Sequence, residues 1–315
     1  MISPIYNYYI TKPDSSVEHI WPSKNYLNQS KINWHLVEKP LQKRGVYLPL
    51  DFNKVKEKSK FNTFHDEHLV IDFYIKNLEN NVKLNKNLID IGAGDGVDMS
   101  NTFNLIMEGF SGHLIEMNSS KFAKLSTIYR KFSNVTLHRA KVTPHNIINL
   151  INFCEIDQEV DVLNLDIDSY DFFVLVELLK HRNFKFLILE INPYFPINID
   201  FSVTYDKEFT PQAGLFQGAS VSKFYKILQS NNYCIVHVDR SFVLGMHKSL
   251  LNNKLIELSP QEINTNLTNS LRKKESQKFE KYYKKIRSQG TQEALEHIKK
   301  EFSKYSNFEV SDSGL

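Results

Sequence analysis

From about residue 87 to residue 191, short apolar runs alternate with amphipathic segments, and this alternation constrains the fold more than any other feature of the chain. Residues 88–91, 113–117, 135–138, 160–166 and 186–191 read as strands. The segments between them carry apolar residues at helical spacing. One covers 97–108 and ends at Gly109; the next sets Phe122, Leu125, Tyr129 and Phe132 behind a capping Asn118. Then Ile147, Leu150 and Ile151 follow Thr143-Pro144, and 170–181 follows a capping Ser169. Strands that alternate with helices pair in parallel, because a parallel crossover needs a helix-length connection. After a helix over 219–229, the β runs 233–238 and 242–246 are separated only by Asp239-Arg240-Ser241. So short a connection is a hairpin, and its last strand runs antiparallel to its neighbour. The expected fold class is α/β, with seven strands, parallel except for one in a C-terminal hairpin, and helices on both faces.

That pattern occupies only part of the 315 residues. Residues 1–62 carry Pro4, Pro13, Pro22, Pro40 and Pro49, both tryptophans (Trp21, Trp34) and no sustained period. They read as an extension packed on the core by its aromatics. A helix is expected from about Thr63, with Asp66 as a near-capping box and Leu69 and Phe73 on its apolar face. The core domain is placed at 63–250, and a helical, partly basic extension at 251–315. Its charge is concentrated in Arg272, Lys273, Lys274, Lys278, Lys281, Lys284, Lys285 and Arg287. A solvated helix face and a phosphate-tracking surface both fit such a stretch.

The whole-chain charge of +3 makes neither nucleic acid nor an anionic membrane the default partner. Cys154 and Cys234 lie in apolar surroundings outside any Cys-x-x-Cys pair, which excludes a disulfide framework and disfavours a thiolate zinc site. The first residues lack a signal-peptide pattern, and no run approaches the ~18 apolar residues of a spanning helix. A cytoplasmic location and no membrane partner are expected.

The chemistry sits at strand ends. The segment Asp90-Ile91-Gly92-Ala93-Gly94-Asp95-Gly96 joins the first strand of the alternation to its helix. Three glycines at alternate positions allow a tight turn and close approach of a ligand. A dinucleotide loop of the form G-x-G-x-x-G needs its third glycine where Val97 stands, and Asp95 would repel a pyrophosphate. Acidic residues instead suit a cationic ligand end, and Asp90 is placed to orient it. Glu116 closes the second strand roughly 20 residues past the loop, the offset at which an acid accepts ribose hydroxyls, and Met117 follows it.

The fourth strand ends in Asp166, Asp168 follows, and Asp171 opens the next helix; the fifth strand ends Glu190-Ile191-Asn192. Glu190 and Asn192 should emerge beside Asp166 on the neighbouring strand. Two chemistries fit. A carboxylate of Asp166 or Asp168 accepts the proton of an attacking hydroxyl, or Asp166, Glu190 and Asn192 hold a hard cation such as Mg2+. Helix capping alone also accounts for Asp168 and Asp171. Residues 193–217, rich in Pro, Tyr and Phe, read either as the wall or lid of an acceptor pocket or as a loop pinned by its aromatics.

The glycine loop, the acid at the next strand end and the closing hairpin resemble the class I S-adenosylmethionine-dependent methyltransferases, over about residues 63–248. That resemblance implies their Rossmann-like seven-stranded sheet. It implies S-adenosylmethionine bound by Asp90, Gly92, Ala93, Gly94, Asp95, Gly96, Glu116, Met117 and Asp166, with Asp166, Asp168 and Asn192 catalytic. The segment Arg139-Ala140-Lys141-Val142 lacks the acid often found near adenine, which implies adenine contacts from backbone atoms. Residues 161–171 are similar to the FkbM-type enzymes. They are closer to a methyltransferase group with Leu-Asp-Ile-Asp at this strand, which also carries motifs matching Thr204-Tyr205-Asp206 and Gly218-Ala219-Ser220. The implied reaction is O-methylation of a small molecule or glycan. The competing readings are an NAD-type oxidoreductase, a non-catalytic methyltransferase-like binding subunit and an RNA methyltransferase.

Overall fold

The computed structural model describes residues 5–11, 17–22, 67–79, 82–130, 132–207, 216–239, 242–253, 255–271 and 277–315. Trp34, the helix start expected near Thr63, Phe209 and residues 272–276 of the basic stretch lie outside them. The chain divides into two compact units, Met1–Ile156 and Asp157–Leu315.

In the first unit, β3 (Asn87–Ile91), β4 (Ser111–Ile115) and β5 (Val135–Arg139) pair in parallel, with β4 in the middle. A strand β1 (Ile5–Thr11) continues this sheet, parallel to β5, and β2 (Val17–Pro22) pairs antiparallel with β1. These two lie in the segment expected to be irregular. Helix α1 (Glu67–Glu79) buries Ile71, Ile75 and Leu78, an i, i+4, i+7 face, and leaves Phe73 exposed. The apolar face is therefore turned from the one that Phe73 was expected to share.

The helix expected over 97–108 is only α2 (Phe103–Met107). The reason is local. Asp95 Oδ1 accepts the N–H groups of Val97 and Asp98, Ser100 Oγ accepts those of Thr102 and Phe103, and Met99 takes φ 60°. Side chains offer the backbone partners that a helix would otherwise provide. The same competition delays α4 to Ile147–Phe153: Asn146 accepts from Thr143 N and donates to Lys141 O, closing a turn where Thr143-Pro144 was expected to open a helix. Between them, Asn118 caps α3 (Ser119–Tyr129) as expected, accepting from Ser120 N and Lys121 N.

In the second unit, β6 (Glu159–Leu165) and β7 (Asn183–Glu190) pair in parallel, with α5 (Asp171–His181) between them in sequence. Helix α6 (Val221–Ser230) leads into the hairpin β9 (Tyr233–Val238) and β10 (Phe242–His247). The last strand inserts antiparallel between β7 and β9. The order is thus β2-β1-β5-β4-β3 in the first unit and β6-β7-β10-β9 in the second. The fold is α/β and Rossmann-like, with its antiparallel strand in the C-terminal hairpin as expected.

The described residues of the segment 193–217 do not form a free loop. Residues Ile199–Val203 form β8, which pairs antiparallel with β11 (Phe308–Asp312) at the C-terminus. Phe195, Phe201 and Phe216 share a core with Ile286, Leu295, Ile298 and Phe302. Helix α7 (Pro260–Leu271) precedes, and helices α8 (Gln277–Ser288) and α9 (Thr291–Glu301) and the turn that follows bring those four. Phe195 and Phe201 stack at 4.2 Å, and Phe216 stacks on Tyr305 at 3.7 Å. The three phenylalanines are buried in that core and anchor the segment there. Truncating Phe201 to alanine should cost about 3–5 kcal/mol, read by urea unfolding.

Candidate functional site

The glycine loop begins where β3 ends. The N–H groups of Gly92 and Ala93 both reach Ile115 O at the end of β4, at 2.9 and 3.1 Å. The loop is thereby tied to the strand that carries Glu116. Gly92, Gly94 and Gly96 adopt φ 93°, 61° and 78°, the left-handed region that costs other residues energy. Gly96 has a second reason to lack a side chain. A Cβ there would lie 2.4 Å from Tyr129 Cε2 and 2.5 Å from Leu125 Cδ1. Helix α3 thus packs directly on the loop backbone, and Tyr129 Oη donates to Gly96 O at 2.7 Å. Gly94 differs, since a Cβ there would meet open space.

Glu116 joins the loop to the next strand. Its Oε2 accepts the N–H of Gly94 at 2.9 Å and its Oε1 the N–H of Asn118 at 2.5 Å. Two acceptor sites on the carboxylate are left for other donors, because an ionised carboxylate accepts about four hydrogen bonds. Asp90 is buried and accepts from Thr102 Oγ1 at 2.5 Å, while Asp95 turns inward to Val97 and Asp98. Met117 is exposed. In this unit, the expected residues Asp90, Gly92, Ala93, Gly94, Asp95, Gly96 and Glu116 therefore form one hydrogen-bonded turn.

In the second unit, the register pairs Leu165 with Leu189, so Asp166 and Glu190 leave adjacent strand ends together. Oxygens of Asp166, Asp168 and Glu190 lie within 4.8 Å of one another. Asp168 sits at φ 57° and turns the chain back toward the strand end. Asp171 holds that turn: its carboxylate accepts from Ile167 N at 2.7 Å and Ser169 N at 3.0 Å. Ser169, expected as the cap, is held by Asp171 instead. Asn192 is occupied otherwise. Its Oδ1 accepts from Tyr194 N at 3.1 Å, its Nδ2 donates to Gln217 O at 2.9 Å and its N–H reaches Ala219 O. In the trio of convergent oxygens, Asp168 stands where the sequence placed Asn192. Those three carboxylates are a hard-oxygen set of the kind Mg2+ takes.

The motif Gly218-Ala219-Ser220 fastens this edge from the other side. Gly218 O accepts from Val203 N, Ala219 O from Asn192 N, and Ser220 Oγ from Phe201 N. Tyr205, from the Thr204-Tyr205-Asp206 motif, packs edge-on against Tyr170 at 5.0 Å. The sequence showed both motifs but not what they hold.

Crowded carboxyls change their own acidity. Burial, then the charges of Asp166, Asp171 and Asp168, raise the Glu190 carboxyl well above the usual range, and it shares a hydrogen bond with Asp166. Burial, resisted by the N–H groups of Ile167 and Ser169, pushes Asp171 up to about 6. Both groups hold protons in the folded chain that the unfolded chain has already released. Stability is therefore fullest below about pH 4 for these two groups and falls as pH rises through their folded values. For Asp171 alone the loss across about pH 4 to 6 is on the order of 3 kcal/mol at most. Urea unfolding at stepped pH should show that fall, and Asp171→Asn should flatten it.

No family model matches the sequence, and no curated protein matches it. Solved structures do. The N-terminal domain of EvdMO1 with SAH bound is 9% identical, with 59% of this chain and 82% of that one covered and a TM-score of 0.39. An S-adenosylmethionine-dependent methyltransferase from Clostridium acetobutylicum ATCC 824 is 15% identical, with 56% and 89% covered and a TM-score of 0.36. Magnesium protoporphyrin IX methyltransferase (ChlM) from Synechocystis PCC 6803 with bound SAH is 13% identical, with 68% and 98% covered and a TM-score of 0.37.

Proposed function

We propose that the protein is an S-adenosylmethionine-dependent methyltransferase acting on a hydroxyl of a small molecule or glycan. One observation carries the reading: Glu116 accepts the N–H of Gly94 at the open point of a glycine loop whose spacing does not suit a pyrophosphate. The resemblance of residues 161–171 to FkbM-type enzymes motivates the oxygen acceptor.

In this reading the spare acceptor sites of Glu116 take ribose hydroxyls, Met117 and the backbone of 139–142 border the adenine, and Asp90 orients the cationic end. The cofactor supplies an electrophilic methyl group. Asp166 accepts the proton of the acceptor hydroxyl as it attacks in line, and positioning supplies much of the rate. Glu190, whose carboxyl burial and the charges of its neighbours make less acidic, shares a hydrogen bond with Asp166 and holds it in place. A second reading rests on the convergent oxygens: a divalent cation held by Asp166, Asp168 and Glu190 would lower the acidity threshold of the same hydroxyl.

Transfer of labelled methyl groups from S-adenosylmethionine into fractionated glycan, small-molecule and RNA pools tests the reading. Label should enter a glycan or small-molecule fraction, with about a 10²–10⁴-fold loss in Asp166→Ala at unchanged cofactor affinity. Label in RNA alone would overturn the acceptor class. If a cation takes part, Mg2+ binding by calorimetry should weaken in Asp168→Asn.

A further inference from the structure

Both cysteines are buried and neither is in a disulfide, yet their neighbours differ in kind. Cys234 Sγ faces a carbonyl, Met246 O at 3.5 Å, and burial pushes its thiol up to about 12. Cys154, the last residue capping α4, faces a base: its Sγ lies 3.3 Å from His138 Nδ1. His138 is wholly buried on β5, and its other nitrogen, Nε2, lies 3.0 Å from Nδ1 of His113 on β4. The two rings lie edge to edge and nearly coplanar, with centroids 5.2 Å apart and planes 9° from parallel. Two proton arrangements satisfy the series, running in opposite directions. In the one that makes His138 a base, the thiol donates to His138 Nδ1, and His138 Nε2–H donates to His113 Nδ1. This is a nucleophile, a base and a third group that orients the base. His113 is half-buried, so the series runs from the interior toward the surface.

We propose that Cys154, His138 and His113 form a reactive thiol site for small electrophiles, with peroxides as the oxidant class. His138 takes the thiol proton at Nδ1 and passes its Nε2 proton to His113. The Cys154 thiolate attacks one peroxide oxygen, forming an S–O bond as the O–O bond breaks. Sulfur loses two electrons and the peroxide gains them. The proton held on the imidazoles goes to the leaving hydroxide, which departs as water and leaves a sulfenic acid. With iodoacetamide the S–C bond forms, iodide leaves and the imidazoles release the proton to solvent. Buried cysteines in apolar surroundings are otherwise inert. Cys154 keeps 8% of its surface accessible and Cys234 none, so access and activation favour the same residue. The histidine variants separate the two. Glu116 N–H donates to His138 O at 3.0 Å, so the readout is mass rather than methyl transfer.

The test treats the full chain at pH 7 with dilute hydrogen peroxide followed by dimedone, and separately with iodoacetamide, and follows each cysteine by peptide mass spectrometry. Cys154 should react at least about tenfold faster than Cys234, and His138→Gln should slow Cys154 about tenfold at unchanged access. His113→Phe keeps an aromatic ring without an acceptor and should slow Cys154 several-fold, while His113→Asn restores an acceptor and should recover the rate. Equal rates at the two cysteines, or a Cys154 rate unmoved by His138→Gln, overturn the proposal. If His138→Gln fails to fold, the His113 pair decides: equal rates in His113→Phe and His113→Asn overturn it.

Discussion

Replacing Gly96 by alanine should destabilise the protein by about 2–4 kcal/mol, the combined order of overpacking a filled site and holding an L-residue at positive φ. The added methyl would lie 2.4 Å from Tyr129 Cε2 and 2.5 Å from Leu125 Cδ1. Neither atom is the end of a free side chain. Tyr129 is buried, donates to Gly96 O and packs edge-on against Phe103. Relief therefore requires α3 to move off the loop. Gly94→Ala is the control. It carries the same kind of φ but meets nothing within 4 Å, so only the backbone cost of about 1–2 kcal/mol applies. Urea midpoints of the two variants should differ accordingly, and equal losses would contradict the packing of α3 on Gly96.

Glu116→Ala should lower affinity for S-adenosylmethionine by two orders of magnitude or more. Two hydrogen bonds to a charged group are lost, each worth about 1.5–3 kcal/mol. The loss also reaches the loop itself, because Glu116 holds the N–H groups of Gly94 and Asn118. Glu116→Gln keeps one acceptor oxygen and should fall between wild type and alanine. Calorimetric titration of the three proteins reads the series directly.

The sequence made the parts that follow a period legible. Runs such as Leu163 to Leu165 and Leu187 to Leu189 are buried strands, and the Asp239-Arg240-Ser241 gap did join an antiparallel pair. The glycine loop and its acid were legible because the backbone conformation they need excludes most other residues. What failed was decided by side chains competing locally or by partners far along the chain. Asp95 and Ser100 undid a helix that the apolar spacing allowed. The sequence 308–312 is too polar to read as a strand until Ile199–Val203 supplies its partner. Asn192 reads as a ligand by position, yet its amide is committed to Tyr194 and Gln217. His113, His138 and Cys154 stand 25 and 16 residues apart in the chain; strand pairing and the end of α4 bring them together.

The proposed function has this glycine loop serve S-adenosylmethionine and not a dinucleotide. Titration calorimetry of the full chain with S-adenosylmethionine, S-adenosylhomocysteine and NADH tests it most directly. Both adenosyl ligands should bind one per chain, with that binding lost in Glu116→Ala, and NADH should give no heat of binding. Saturable binding of NADH without binding of either adenosyl ligand would contradict the account.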